Sequence, residues 1–94
     1  MKQLKEILEY EVVALCRHKL ARTERRKFTL RLGPRMIPPF RPYREVEISD
    51  EVVGVRYIIY TRPNPENGGW LLHVRVKEEP FNPVLKESPV LSSK

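Results

Sequence analysis

Two segments of alternating apolar and polar residues constrain the fold of this chain most strongly. One runs from Val52 to about Thr61 and the other from Trp70 to about Glu78. A period of two is typical of β-strands that bury one face. The residues between them, 62–69, read Arg-Pro-Asn-Pro-Glu-Asn-Gly-Gly and are rich in turn formers. The two segments therefore predict an antiparallel β-hairpin.

Two shorter strands are predicted from the same alternation. The first begins at Lys27 and ends before Gly33, and the second spans Glu45–Ser49 and leads into a turn at residues 50–51. Residues 33–44 contain four prolines, which predicts an irregular, extended loop.

Residues 2 to about 26 predict a single helix, because apolar residues recur at spacings of three and four and no Gly or Pro interrupts them. Val13 and Leu20 fall on the opposite side, where they either form a slightly apolar solvent face or join a dimer interface. The predicted core stripe of the helix comprises Leu4, Ile7, Leu8, Val12 and Leu15.

These elements predict an α+β fold with one N-terminal helix packed on a four-stranded antiparallel sheet, as a single domain over residues 1–80. Residues 81–94 predict an extended, proline-containing C-terminal tail that either docks on its own domain or binds a partner. The strands are predicted to contribute Phe28, Leu30, Val46, Ile48, Val53, Val55, Tyr57, Ile59, Trp70, Leu72, Val74 and Val76 to the core.

Positive charge is concentrated in one part of the chain. Residues 17–44 hold ten basic residues and one acid, whereas the remainder holds eight basic residues and eleven acids. Such a block predicts a polyanionic partner, most often nucleic acid. In the loop, Phe40 and Tyr43 either stack on bases or pin the loop to the core. The candidate contacts are Arg17, Lys19, Arg22, Arg25, Arg26, Lys27, Arg31, Arg35, Arg41 and Arg44.

The sheet face opposite the helix is a second predicted binding surface, on which aromatic residues stack bases and cations hold phosphates. The same alternation also keeps any one-sided sheet soluble, and Ile58, Tyr60 and Leu71 could instead form a dimer contact. The candidate contacts on this face are Arg56, Tyr60, Arg75 and Lys77, with Glu45 and Glu47 as its only acids.

The sequence contains no motif for catalysis, a metal or a cofactor. Cys16 is the only cysteine, no paired His/Cys spacing suggests a zinc site, and no glycine-rich phosphate loop is present. We therefore expect no enzymatic activity. The catalytic alternative is a metal-independent ribonuclease with His73 as base and Arg75 or Lys77 on the phosphate.

A single cysteine favours a reducing, cytoplasmic compartment, and no apolar run approaches the ~20 residues that span a membrane. The scarcity of Gln and Asn, together with nine prolines, leans towards a thermophilic source.

We predict a small protein that binds DNA or RNA through its basic helix end and loop, has a regulatory or architectural role, and is a homodimer. The alternative is a small interaction or inhibitor protein whose basic surface docks on an acidic protein partner. An apolar patch of Val13, Leu20, Ile58 and Leu71 would favour that alternative.

Overall fold

The computed structural model describes residues 3–78, which form one helix and six strands. The elements are β1 (Lys5–Glu6), α1 (Glu9–Ala21), β2 (Lys27–Leu32), β3 (Met36–Ile37), β4 (Glu45–Asp50), β5 (Val55–Pro63) and β6 (Trp70–Lys77). The strands β2, β6, β5 and β4 make an antiparallel sheet in that order, and β1 pairs with β3 in parallel. The predicted α+β fold is confirmed, whereas the predicted tail lies outside the described residues.

The predicted hairpin forms the centre of the sheet. β5 begins at Val55 rather than at Val52, because residues 51–54 form the turn that follows β4. In this turn the N–H of Gly54 donates a hydrogen bond to the carbonyl oxygen of Asp50 at 2.8 Å. Val53 is consequently exposed, and its predicted place in the core is wrong. The turn was expected at residues 50–51, but Asp50 is still the last residue of β4.

The helix is shorter than predicted at both ends. It begins at Glu9 rather than at residue 2. At this N-terminus the Glu11 carboxylate accepts a hydrogen bond from the N–H of Leu8 at 2.7 Å. The preceding residues are extended because they pair with the loop: the N–H of Lys5 donates to the Arg35 carbonyl at 2.8 Å. The helix ends at Ala21, so Arg22, Arg25 and Arg26 lie beyond it.

The buried face of the helix matches the prediction only in part. Val12, and Ile7 just before the helix, are buried as predicted. Val12 and Cys16 are fully buried, and Val13 and Leu20 pack against the core. The predicted core positions of Leu4, Leu8 and Leu15 are wrong, because these side chains are exposed. Within a helix limited to residues 9–21, the apolar side chains at 12, 16 and 20 form the only stripe of three at a spacing of four. The two leucines at 4 and 8 lie outside it.

The inner sheet face packs under α1, which approaches the two edge strands β2 and β4 and so lies across the sheet. The predicted alternation is confirmed here, and Phe40 from the loop joins the same core. Three polar residues, Asp50, Thr61 and Asn64, are also buried. The buried strand residues are Leu30, Leu32, Tyr57, Ile59, Leu72, Val74 and Val76.

The Asp50 side chain is fully buried and accepts four hydrogen bonds. Arg17 donates two of them, from Nε at 3.0 Å and Nη2 at 3.1 Å. The Tyr57 hydroxyl donates at 2.7 Å and the N–H of Val52 at 3.0 Å. Together they join α1 to the corner between β4 and β5.

These bonds also set the ionisation of the cluster. Burial by itself raises the pKa of the Asp50 carboxyl, but the hydrogen bonds from Arg17, Tyr57 and Val52 and the charge of Arg17 outweigh it, so the pKa lies below its usual value. The hydrogen bond to Asp50 raises the pKa of Arg17 in turn. Burial first, then the hydrogen bond to Asp50, raises the pKa of Tyr57.

We expect Asp50→Asn to lower the free energy of unfolding by about 2–3 kcal/mol at neutral pH, since it removes charge-assisted bonds at a buried site. The folded-state pKa of Asp50 is lowered. Its contribution is therefore complete above the unfolded-state pKa of about 3.9 and is lost as pH falls through the folded-state value. Urea unfolding at pH 7 and below pH 4 measures this. Glu51→Gln, at an exposed neighbour, is the control. A difference between wild type and variant that stays constant into acid would contradict this account.

Gly69 holds the β5–β6 loop against the end of β2. A Cβ there would collide with the carbonyl oxygen of Leu32 and lie 2.9 Å from the carbonyl carbon of Gly33. We expect Gly69→Ala to destabilise the fold by about 1–3 kcal/mol. Gly33→Ala, whose Cβ would meet nothing within 4 Å, is the matched control and should cost nothing. Thermal unfolding of the two variants compares them, and equal melting temperatures would show that the loop adjusts freely.

Candidate nucleic-acid interface

The sheet face opposite α1 carries side chains in rows that cross the strands. One row consists of Thr29, His73, Tyr60 and Glu45, which are paired in turn across β2, β6, β5 and β4. The next row consists of Lys27, Arg75, Ile58 and Glu47. Residues that are paired in an antiparallel sheet point to the same side. Each row is therefore a continuous line of side chains on the outer face.

Every residue of these two rows except Glu47 lines an open cavity with a volume of about 560 Å³, which we call the outer groove. The cations gather towards β2 and β6, where Lys27 lies directly opposite Arg75. The acid Glu45 lies at the other side, on the edge strand β4. The outer groove is lined by Arg25, Lys27, Phe28, Thr29, Glu45, Ile58, Tyr60, His73, Val74 and Arg75.

The centre of the outer groove is a pair of rings. The Tyr60 and His73 rings are stacked with their centroids 6.4 Å apart and their planes inclined by 26°. Nδ1 of His73 lies 3.2 Å from the hydroxyl of Thr29, within hydrogen-bonding distance. Both rings are half-buried, so contacts on either side limit their motion while part of each remains accessible.

Four of the predicted contacts line the outer groove: Arg25, Lys27, Tyr60 and Arg75. The other predicted contacts do not line it. Of these, Lys19, Arg22, Arg31, Arg35, Arg41, Arg44 and Lys77 are exposed elsewhere on the described surface.

Three of the predicted contacts are engaged in ion pairs. The Arg17 guanidinium is held by Asp50 inside the fold. Arg26 pairs with Glu78, and Arg56 pairs with Glu47 across β4 and β5 at 3.1 Å. A guanidinium already bound to a carboxylate has fewer donors for a phosphate. We therefore leave these three out of the proposed site.

The two aromatic residues of the loop, which were predicted either to stack on bases or to pin the loop to the core, differ in burial. Phe40 is buried in the core and so pins the loop, whereas Tyr43 is 66% exposed and has a left-handed backbone, with φ of 66°. Tyr43 lies beside Arg62 and Pro63, away from the outer groove.

Two polar residues of the outer groove, Thr29 and Glu45, were not among the predicted contacts, and His73 was considered only as the base of the catalytic alternative. Alternation places all three on the outer face, but it does not say which of them share a row. That depends on the register of three strand pairs, of which β2 and β6 are not joined by a turn. The turn-rich segment 62–69 was the one available signal.

Residues 3–78 contain no cluster of His, Cys, Asp and Glu suited to a metal ion. Burial and the charge of Asp50 raise the pKa of the Cys16 thiol to about 12, which makes it a poor ligand and nucleophile. Within the same residues, no helix has the length and apolar character needed to cross a membrane. No protein-family model, no curated protein and no solved structure matches the chain significantly.

Proposed function

We propose that this protein binds single-stranded nucleic acid in the outer groove. The observation that carries the proposal is the arrangement of Lys27 directly opposite Arg75, with Arg25 beside them and the Tyr60–His73 ring pair next to them. Cations contact phosphates, and accessible rings stack on unpaired bases. A double strand keeps its bases stacked within itself, so the rings favour a single strand.

The charges in the outer groove support an anionic ligand. Like charges directly opposite one another on neighbouring strands destabilise a sheet. Within the described residues, no carboxylate forms an ion pair with Arg25, Lys27 or Arg75, in contrast to the three paired arginines. A bound phosphate backbone would offset this repulsion.

The alternative of an acidic protein partner loses the apolar patch that favoured it. Val13 and Leu20 pack between the helix and the inner sheet face, whereas Ile58 and Leu71 belong to the outer face. The four residues therefore do not form one surface. The remaining exposed cations, on the helix end and the loop, would act mainly by long-range attraction of a polyanion.

We expect the triple variant Arg25→Gln, Lys27→Gln, Arg75→Gln to lose most of its affinity for single-stranded nucleic acid. Each phosphate contact on a single strand contributes about −0.7 to the slope of log K against log salt, so three contacts contribute about −2. The ratio of the wild-type affinity to the variant affinity should therefore be about 15-fold larger at about 50 mM salt than at about 200 mM. Fluorescence anisotropy with single- and double-stranded DNA and RNA measures this.

The matched control is Lys5→Gln, Lys19→Gln, Arg35→Gln, which changes the net charge equally at exposed sites outside the outer groove. It should keep most of the affinity. Equal losses in the two triples would mean that net charge alone attracts the ligand. No binding of wild type to any of the four nucleic acids at low salt would overturn the proposal and favour an acidic protein partner.

We expect Tyr60→Ala to weaken single-strand binding by about 1–3 kcal/mol, the usual contribution of one stacked base. Tyr43→Ala removes an exposed tyrosine outside the outer groove and should have little effect. Both are measured by the same titration, with thermal unfolding to check that each variant is folded. Unchanged affinity in folded Tyr60→Ala would exclude stacking on this ring.

A further inference from the structure

The outer groove contains a carboxylate that phosphate binding does not explain. Glu45 lines a surface whose other charged side chains are Arg25, Lys27 and Arg75. The second acid of this face, Glu47, is ion-paired with Arg56, but Glu45 forms no such pair within the described residues. An unpaired carboxylate repels a phosphate backbone, so binding alone would be better served by a neutral residue.

The position of Glu45 relative to His73 suggests a role in chemistry. The two residues flank Tyr60 in one row, on β4 and β6 respectively. Strands in a sheet are about 4.8 Å apart, so their backbones are separated by about 10 Å, with both side chains on the same face. A carboxylate and an imidazole at this separation can approach opposite sides of a phosphodiester that lies between them.

We propose that the outer groove cleaves single-stranded RNA, with Glu45 as general base and His73 as general acid. This inference rests on the proposed function, since the same groove must first bind the strand. It names the ligand as RNA, because the reaction uses the ribose 2′-hydroxyl as nucleophile.

The reaction balances without a co-reactant. Glu45 takes the proton of the 2′-hydroxyl as the 2′ oxygen forms a bond to phosphorus. The bond from phosphorus to the 5′ oxygen of the next nucleotide breaks, and the protonated His73 ring gives that oxygen its proton. The products are a 2′,3′-cyclic phosphate and a free 5′-hydroxyl. Arg25, Lys27 and Arg75 stabilise the charge that develops on the phosphate.

Thr29 orients the ring of His73 for this role. With Nδ1 of His73 3.2 Å from the Thr29 hydroxyl, the protonated ring donates Nδ1–H to Thr29 and keeps Nε2–H for the leaving oxygen. The stacked Tyr60 ring restrains the plane of the imidazole. Thr29 is therefore a positioning residue, and Glu45 and His73 are the groups that exchange protons with the substrate.

The test uses the full chain and a labelled single-stranded RNA in buffer with EDTA, with product ends identified by mass spectrometry. A parallel titration uses the same sequence with 2′-O-methyl ribose, which binds but lacks the nucleophile. We expect wild type to cleave only the unmodified RNA and to leave 2′,3′-cyclic phosphate ends. Glu45→Gln and His73→Ala should each slow cleavage at least about 100-fold, since a general acid or base contributes about 10²–10⁴-fold. Glu45→Gln should bind the 2′-O-methyl strand within a few-fold of wild type. His73→Ala also removes a ring of the outer groove, so its cleavage rate is compared with that of wild type at saturating RNA.

Glu47→Gln, purified in the same way, is the matched control and should cleave like wild type, which also guards against a contaminating nuclease. Wild type that binds the 2′-O-methyl strand but leaves RNA intact would overturn cleavage while the proposed function stands. Failure to bind either strand would overturn both. Cleavage that is unchanged in Glu45→Gln, with tighter binding from the lost repulsion, would show that Glu45 acts only through its charge and would overturn its role as base.

Discussion

The buried carboxylate of Asp50 joins the two layers of this fold. It lies at the end of β4, where it accepts bonds from Arg17 on α1, from Tyr57 on β5 and from the backbone of Val52 in the turn. A charge this deeply buried is tolerated only when its hydrogen-bonding capacity is satisfied, so these contacts must form together. They orient α1 on the inner sheet face, with Val12 and Cys16 against the sheet. Among the described residues, α1 covers only the inner sheet face, so the outer face remains at the protein surface.

The outer groove follows from that arrangement. The strand order brings side chains from all four strands into adjacent rows. Thr29 and His73 are 44 residues apart along the chain yet lie within hydrogen-bonding distance. The resulting surface places Arg25, Lys27 and Arg75, which form no ion pair within residues 3–78, beside a stacked ring pair and a single acid. The proposed binding and the proposed proton transfer use the same few side chains, in rows whose spacing the sheet determines.

The cluster of basic residues contributes in three different ways. Arg17 became part of the fold, because a fully buried carboxylate at the sheet corner lay within its reach. Arg25 and Lys27 line the outer groove, because Lys27 is the first residue of β2 and Arg25 lies just before this strand. The remaining exposed basic residues carry the same positive charge but lie outside the outer groove. A block that is continuous in sequence is thus divided among structural and surface roles once the chain turns at the end of α1.

The alternation of residues along the strands was sufficient to determine the four-stranded antiparallel sheet, the α+β class and the identity of the inner and outer faces. It was sufficient because burial on one face of a strand imposes a period of two whatever the neighbours are. The boundaries and buried face of the helix were not determined in this way. Because Lys5 pairs with the distant loop, the helix begins only at Glu9. Burial of Val12 and Cys16 leaves Leu8 and Leu15 exposed. The row that joins Glu45, Tyr60, His73 and Thr29 likewise depended on strand register. Register arises from contacts between residues far apart in the chain, so only the tertiary structure decided which side chains meet in the groove.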